Sequence, residues 1–379
     1  MPYFLKVFFL FSILSALVSA KLCAGWSDAK VKKKSPVVSP KIVNSIKKID
    51  IVSTSCLNFF KITKDIEATK IGDCFKGAGL SVQDIKDTLV YVNSIQEEDR
   101  VFIKSGKKFS DGRPWEYRLS MFWFLKSHFD IYKISGNKRS AKRKNVQLPE
   151  GKMKITKYAF FEIPISRNYS KSNNTAIYAL PEWINPKTGK KKYRLRYTKQ
   201  DIYNGVYGKW GRAKGKAKAL GYATRKNFEN VMLQGTFVGR FSNGTRQIFG
   251  PSGTNEIPFN SRIKVSKQKR YIYYSIKDGF YGYGKTKEDK IKVQTGVTFA
   301  GNVKQFGIGK LLLMTYKDPK LGIPKARLGI IADTGSAFVD NNFQLDFLLG
   351  AYSSKKGFYS AANQIPEYCE IFLLIKRKK

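Results

Sequence analysis

Close to the C-terminus the chain reads Ile331-Ala332-Asp333-Thr334-Gly335-Ser336-Ala337-Phe338 and continues Val339-Asp340-Asn341-Asn342-Phe343-Gln344-Leu345-Asp346-Phe347. Three carboxylates stand here among apolar residues and glycine, although the chain has only 28 Asp and Glu against 70 Lys and Arg. A buried Asp is costly unless it is paired, hydrogen-bonded or used in chemistry. We therefore expect this stretch to hold the chemical site.

Residues 1–20 have the features of a secretory signal peptide. Lys6 gives a weakly positive start, residues 7–18 are mostly apolar, and Val18-Ser19-Ala20 is a small-residue cleavage site. The apolar run is short for a membrane span, and an uncleaved anchor is the alternative. Cys23 lies too far past the small residues for lipid attachment. We expect an exported protein that is periplasmic, associated with the outer membrane, or secreted.

The formal net charge of +42 on 379 residues is extreme, and basic residues are spread along the whole chain. One interpretation is lysine-rich solvated faces without a specific role, and the other is attraction to a polyanion. Nucleic acid is the usual partner of so basic a protein, but the export signal argues against it. An anionic surface of the cell envelope is the candidate partner that agrees with the predicted export. The sequence does not determine the oligomeric state.

Histidine and cysteine restrict the chemistry. The single histidine, His128, lies in an aromatic helix-like stretch, where we interpret it as structural. Sites of the Ser-His-Asp or Cys-His kind would all depend on that one residue. The four cysteines are Cys23, Cys56, Cys74 and Cys369; they allow three disulfide pairings, of which we favour Cys56–Cys74. Since the chain has no CxxC pair, we expect no zinc site made of thiolates. We also expect no other metal and no cofactor.

The residue pattern changes near position 153. Residues 55–135 look helical, with Ser81 as a helix N-cap and Val82, Ile85, Leu89 and Val92 at helical spacing. After residue 153 apolar and aromatic runs alternate with turn signals such as Asn243-Gly244, as in strands, and residues 205–221 look like a surface loop. The sequence therefore predicts an α+β, β-rich protein that contains a barrel.

Four segments in order resemble the membrane-bound lytic transglycosylase A (MltA) family, whose members cut bacterial peptidoglycan. The first is Lys-Tyr-Ala-Phe-Phe-Glu-Ile-Pro at 157–164, similar to the family's Gly-Tyr-Tyr-Glu-Pro segment. The second is Leu-Gln-Gly-Thr at 233–236 with Gly-Thr-Asn at 253–255, similar to the family's Gln-Gly-Ser-Gly strand and its Gly-x-Asn-Gly segment.

The other two segments resemble the family's three-aspartate (3D) barrel domain. Phe-Ala-Gly-Asn-Val at 299–303 is similar to the Ala-x-Asp-Pro strand, with Asn302 where the third Asp is usual. The stretch quoted first is similar to Asp-Thr-Gly-Gly-Ala-Ile…Asp-Leu-Phe, although the interval from Asp333 to Asp346 is a little longer. Together the four segments extend the resemblance over about residues 75–379.

The resemblance implies a double-psi β-barrel domain with a helical N-terminal region and a second, inserted β domain. The barrel domain would comprise residues 55–180 and 275–379, and the inserted domain residues 181–274. Residues 21–54 would be a basic tether between the signal peptide and the barrel. The substrate, a peptidoglycan glycan strand, would lie in the groove between the two domains.

The resemblance also assigns the catalytic role to Asp346, and the chemistry of other residues suggests further roles. Asp346 is the expected catalytic residue, supported by Asp333 and Thr334, although Asp333 could equally be a turn residue that caps backbone amides. Asp340 is expected in a turn. The expected substrate-binding residues are Gln234, Gly235, Tyr158, Glu162 and Asn255. For Gln234 a structural amide between strands is the equal alternative, and for Tyr158 packing in the core is the more common role of such an aromatic residue.

A single carboxyl group is sufficient for a lytic transglycosylase. A hydrolytic glycosidase needs two carboxylates, one as acid and one to activate water or attack the sugar. A transglycosylase instead closes the C6 hydroxyl of the muramoyl residue onto its own C1, so the nucleophile is already in place. One residue can protonate the leaving oxygen and then accept the hydroxyl proton. The acid must start protonated, so burial of Asp346 must outweigh the surrounding lysines.

Two other classes of function remain. Ile331-Ala332-Asp333-Thr334-Gly335-Ser336 also resembles the active-site strand of aspartic proteases, but these need two Asp and the chain has one Asp-Thr-Gly. Expansin-like proteins also contain double-psi barrels, and a protein of that kind would bind the cell wall without cutting it. Products released from purified sacculi would discriminate among the three.

Overall fold

The computed structural model describes residues 31–181, 197–260, 262–335 and 338–378. The predicted signal peptide and Cys23 lie outside these residues. The helices are α1 Ile49–Ile62, α2 Ile66–Thr69, α3 Val82–Lys104, α4 Phe122–His128, α5 Lys138–Arg143, α6 Lys199–Tyr203, α7 Arg225–Gln234, α8 Val303–Phe306 and α9 Lys355–Ala362, with 3₁₀ turns at Asp73–Phe75, Arg118–Ser120 and Val265–Lys267.

The strands follow the predicted change of pattern and lie mainly after residue 128. They are β1 Val31–Lys33, β2 Lys41–Ile42, β3 Phe129–Ile134, β4 Met153–Pro164, β5 Thr175–Tyr178, β6 Ala219–Ala223, β7 Phe237–Arg240, β8 Arg246–Thr254, β9 Ile272–Lys277, β10 Phe280–Tyr281, β11 Lys292–Val293, β12 Thr298–Ala300, β13 Leu311–Lys317, β14 Pro324–Asp333, β15 Gln344–Tyr352 and β16 Tyr368–Lys376. The protein is thus mixed α+β and rich in strands, as the sequence predicted.

The chain forms two compact units. Among the described residues, the first unit contains 31–158, Tyr281–Leu348 and 362–378. The second contains Ala159–Phe280 and Leu349–Ala361. The second unit therefore begins within β4 and includes a short return segment, Leu349–Ala361.

Six strands of the first unit form a closed ring. Their order is β16-β13-β14-β12-β15-β4, and β4 returns to β16 through the pairs Tyr368↔Lys154 and Cys369↔Met153. Closure removes the open edges that would otherwise expose unpaired backbone groups. The six strands therefore form a closed barrel.

Two strands of this ring, β13 and β16, are buried on both faces. All residues from Leu311 to Tyr316 in β13 and from Ile371 to Ile375 in β16 are buried. Helices α1 and α3 contact β14 and β16 on the outside, so these strands read as continuous apolar runs rather than as alternating ones. The apolar runs and the helical spacing before them are therefore parts of one core.

Helix α3 begins where the sequence placed its N-cap. The side chain of Ser81 accepts from the Asp84 N–H at 3.2 Å, and the Asp84 carboxylate accepts from the Ser81 N–H at 2.8 Å. Ile85, Leu89 and Val92 are buried, as their spacing predicted. His128 ends α4 with its ring stacked on that of Phe124 at a centroid distance of 4.0 Å, a contact that agrees with the structural interpretation.

The first residues of the structure correct the prediction of a tether. β1 pairs with β3, β2 pairs with β14, and the buried Asn44 side chain donates to the Gly296 and Leu328 carbonyls at 2.7 Å. Residues 31–54 are therefore packed onto the barrel. Lysine richness suggested solvation, but the few apolar and amide side chains between the lysines determine the packing.

The expected Cys56–Cys74 disulfide is absent, because both thiols are free and buried. The buried ammonium of Lys310 interacts electrostatically with both, and it donates to the Lys70 and Ile308 carbonyls at 3.2 and 3.1 Å. Burial lowers the pKa of Lys310 to about 7. Proximity along the chain was the wrong guide, since a disulfide depends on Cα and Cβ distances in space.

The second unit has its own core. The C-terminal end of β4, from Phe161 to Pro164, pairs in parallel with β7. Strand β7 then pairs with β8, and β8 with β9, both in antiparallel orientation. Tyr271, Tyr273 and Tyr274 are fully buried against Phe228 and Phe237, so this core is mainly aromatic. Among the described helices of the whole chain, none has the length and apolar content to cross a bilayer.

Candidate functional site

The strand register of the first unit brings two carboxylates together. Ala300 of β12 is opposite Asp333 of β14 on one side and opposite Asp346 of β15 on the other. Since neighbouring strands lie roughly 5 Å apart, the two Asp Cα atoms are about 10 Å apart. Residues directly opposite each other share a face of the sheet. Strand pairing in the barrel therefore places Asp333 and Asp346 near each other, although they are 13 positions apart in the sequence.

Asp346 is half-buried between core residues. Its neighbours Leu345 and Phe347 are buried in the barrel, while Asp346 points to the other face of β15. Burial raises the pKa of Asp346 above its ordinary value, and a hydrogen bond from Gln344 opposes that rise. The carboxyl is thus neither in open solvent nor sealed in the core.

Gln344 holds the Asp346 carboxylate in place. Its Nε2 donates to Asp346 Oδ1 at 3.2 Å and to Thr156 Oγ1 at 2.6 Å, and its Oε1 accepts from Asn341 at 3.1 Å. The sequence analysis did not identify Gln344 or Thr156. A signal was present for Gln344, because residues two apart on a strand share a face.

Asp333 is anchored by two donors. The Tyr158 hydroxyl donates to its Oδ2 at 2.9 Å, and the Thr334 N–H donates to its Oδ1 at 2.8 Å. Burial nevertheless raises the pKa of Asp333 to about 6. The Thr334 hydroxyl donates to the Gly301 carbonyl at 2.8 Å, which ties this turn to the end of β12. Burial, followed by the charge of Asp333, also raises the pKa of Tyr158 well above its usual range.

The basic surface does not neutralise the site. Within the described residues, neither Asp333 nor Asp346 takes part in an ion pair with Lys or Arg. Lys290 lowers the pKa of Asp333, but burial is the larger effect. Local desolvation therefore prevails over a net charge of +42 at both carboxyl groups.

Two residues of the motif have structural functions. Asn302, where an Asp was expected, accepts from the Lys304 and Gln305 N–H groups and caps α8. Its Nδ2 also donates to the Asn342 side chain at 2.8 Å. Asp340 has a φ of 55° in a turn, as predicted.

The other expected substrate-binding residues lie in the second unit. Glu162 pairs with Arg240 at 2.9 Å and with Arg246 at 3.0 Å. The buried Asn255 amide donates to the Tyr197 carbonyl at 2.9 Å and to the Lys269 carbonyl at 2.8 Å. These contacts give both residues structural partners.

The segment around Gln234 and Gly235 is not a strand. Gln234 is the last residue of α7, and Gly235 follows it with a φ of 88°, a conformation that favours glycine. The expectation of a strand here was wrong because the segment is short and its helix begins earlier, at the Thr224 N-cap.

Solved structures show the same overall fold. A membrane-bound lytic murein transglycosylase from Agrobacterium tumefaciens matches with a TM-score of 0.54 at 14% identity, over 92% of this chain and 98% of that chain. E. coli MltA with bound chitohexaose matches with a TM-score of 0.51 at 12% identity, over 92% and 95% of the two chains. MltA from Neisseria gonorrhoeae matches with a TM-score of 0.51 at 14% identity, over 91% and 97%.

These identities are low, and the likeness shows the fold alone. No protein-family profile and no curated protein sequence matches the chain. The fold nevertheless agrees with the expectation drawn from the sequence segments, and the match extends over both compact units.

Proposed function

We propose that this protein is a peptidoglycan lytic transglycosylase. It cleaves the β-1,4 bond between N-acetylmuramic acid and N-acetylglucosamine and leaves 1,6-anhydro-muramoyl ends. The observation that carries the proposal is the half-buried Asp346, whose pKa is raised by burial on a barrel of the MltA fold. We further infer that this barrel is of the double-psi type, because its six strands close with β12 parallel to β14.

Asp346 acts first as the acid. Its protonated carboxyl group donates the proton to the glycosidic oxygen as the bond from C1 to that oxygen breaks. The resulting carboxylate accepts the proton of the C6 hydroxyl group as that oxygen bonds to C1. No water is consumed, and the carboxyl group returns to its starting state. The protein contributes the positioned proton donor and the desolvated environment that keeps it protonated.

Hydrogen bonding favours Asp346 over Asp333 as the proton carrier. Both oxygens of Asp333 accept from the protein, which stabilises its anion and holds it still. Among the described hydrogen bonds, Asp346 accepts one, the 3.2 Å bond from Gln344. We therefore assign proton transfer to Asp346, and we assign to Asp333, Thr334 and Tyr158 the support of the site.

Glycan strands are the proposed substrate. The E. coli protein of this fold was solved with bound chitohexaose, a β-1,4-linked sugar oligomer. The product would distinguish the candidate reactions on intact sacculi. Anhydro-ended fragments support a transglycosylase, reducing ends indicate a hydrolase, and binding without release indicates a wall-binding module.

The decisive test replaces Asp346 by Asn in the mature chain. We expect Asp346→Asn to abolish fragment release from sacculi, at least a thousandfold, while binding to sacculi persists, because Asn cannot carry the proton. Asp340→Asn, in an exposed turn of the same motif, is the matched control and should retain activity. Release by Asp346→Asn at the parent rate would disprove the assignment.

A further inference from the structure

The second unit presents one loop with an unusual composition, residues 205–218, which we call the Trp210 loop. Successive turns order its backbone: the Gly208 N–H donates to the Gly205 carbonyl at 2.8 Å, and the Ala213 N–H donates to the Val206 carbonyl at 2.9 Å. Val206, Tyr207 and Ala213 are buried in the core of the unit. The loop is therefore ordered by backbone hydrogen bonds and held by side chains that are buried in the core of the second unit.

The Trp210 side chain, in contrast, points into solvent. It is 89% exposed, although tryptophan is on average a highly buried residue. The Lys209 ammonium lies 4.8 Å from the centroid of its ring. An ordered loop that buries Tyr207 and exposes the neighbouring indole presents a large, rigid aromatic surface to solvent.

Five exposed cations surround the indole in sequence. They are Lys209, Arg212, Lys214, Lys216 and Lys218. Arg212 is oriented by contact with the Tyr197 ring at 4.8 Å, and Asp201 lies 3.8 Å from it. The loop is therefore strongly positive, and it will attract an anionic polymer that also offers a surface to an aromatic ring.

We propose that the Trp210 loop is a second contact site for peptidoglycan, separate from the carboxyl groups of the barrel. The electron-rich face of the indole packs on the C–H face of a sugar ring. The lysines pair with the carboxylates of the peptide stems. The choice of polymer rests on the proposed function, but the binding site itself does not depend on Asp346.

An anionic bilayer is the less suitable partner. Binding of a protein segment to a membrane surface scales with the apolar area that it inserts. Within the Trp210 loop, residues 205–218, Trp210 is the one exposed large hydrophobic side chain. A single indole among five cations offers little area for insertion, whereas one ring is what stacking on one sugar requires.

Binding is measured with the full mature chain carrying Asp346→Asn, so that sacculi stay intact. We expect Trp210→Ala to weaken binding to purified sacculi about tenfold, the loss of one aromatic contact. Trp210→Phe should restore most of it. Trp123→Ala removes another exposed indole, 57% exposed, in the first unit and should bind like the parent.

The charges are tested on the same background. Lys214→Glu with Lys216→Glu should weaken binding and flatten its dependence on salt. Lys264→Glu with Lys267→Glu makes the same change of charge at exposed positions of the same unit and should have a smaller effect. Equal effects of the two pairs would overturn the assignment of the site to this loop.

Two further experiments distinguish binding to peptidoglycan from binding to a membrane, and the loop proposal from the proposed function. Vesicles containing phosphatidylglycerol replace the sacculi, and a loss confined to vesicles in Trp210→Ala would overturn the proposal in favour of a membrane contact. In the chain with Asp346 intact, Trp210→Ala should turn over short soluble glycans at the parent rate. If sacculus binding depends on Trp210 while no fragments are ever released, the loop proposal holds and the proposed function fails.

Discussion

The two carboxyl groups of the site share a strand neighbour but differ in what holds them. Asp333 accepts from a hydroxyl and a backbone N–H, whereas Asp346 accepts from the Gln344 amide. Burial raises the pKa of both. The difference in hydrogen bonding, rather than in pKa, is the basis on which we propose support of the site for Asp333 and proton transfer for Asp346.

Removing the Gln344 amide should move the pH profile of catalysis. Because the hydrogen bond from Gln344 lowers the pKa of Asp346, Gln344→Leu raises that pKa further. The alkaline limb of the profile, where the acid loses its proton, therefore shifts to higher pH. Thr156→Val leaves the donor in place and should shift the limb less. A shift toward lower pH in Gln344→Leu would contradict this account.

Asp333 should make stability depend on pH. Its pKa rises from 3.8 to about 6 on folding, so the folded state retains a proton that the unfolded chain has released. The free energy of unfolding thus falls as pH rises from about 4 to about 6. Asp333→Asn should remove this dependence and add at most about 3 kcal/mol above that window, as measured by denaturant unfolding.

Asp318 provides a control of opposite sign. The hydrogen bond from Lys325 and two backbone N–H groups lower its pKa to about 2. Its stabilising contribution is therefore present above about pH 4 and is lost as pH falls toward 2. Asp318→Asn should destabilise at neutral pH. If both Asn variants shift stability in the same direction at pH 7, the assignment of the two environments is wrong.

At the scale of elements, strand β12 organises the site. It has three residues, pairs in parallel with β14 and antiparallel with β15, and so puts Ala300 between the two carboxylates. The Asn302 side-chain oxygen caps the helix that follows β12, and its Nδ2 donates to the Asn342 side-chain oxygen. Asn302, at the position where the resemblance predicts Asp, therefore links the end of β12 to the segment that precedes β15.

Helix α3 offers a test of local structure. Ser81→Ala removes the acceptor for the Asp84 N–H and should lower the free energy of unfolding by about 1 kcal/mol. Ser105→Ala at the exposed C-terminal end of the helix should lower it by less than about 0.5 kcal/mol. Equal losses in the two variants would show that the capping box does not stabilise the helix. Chemical denaturation of both variants gives the comparison.

The sequence analysis predicted helix α3 correctly but expected a strand where helix α7 ends. Ser81 and the spacing of Ile85 and Leu89 specify α3 locally, since the cap and the apolar stripe lie in one segment. Around Gln234 the resemblance favoured a strand, while the Thr224 cap ten residues earlier starts a helix that ends at Gly235. Similarity of four residues carries less information about conformation than a capped segment does.

At the scale of the whole molecule, the charge should limit stability. A net charge of +42 repels itself in the compact state. Raising the salt concentration from ~0.1 M to ~1 M shortens the screening length from about 10 Å to about 3 Å. We expect the free energy of unfolding to increase with sodium chloride, and a decrease would show that attractive ion pairs prevail.

By itself the sequence determined the β-rich class and the helical start, and it singled out the segment that holds Asp333 and Asp346, because periodicity, caps and motifs act over short stretches. Only the tertiary structure showed that residues 31–54 pack on the barrel, that Cys56 and Cys74 stay free around Lys310, and that Gln344 and Thr156 hold Asp346. These are contacts between segments far apart in the chain. Strand register and ring closure fix such distances, and no local pattern encodes them.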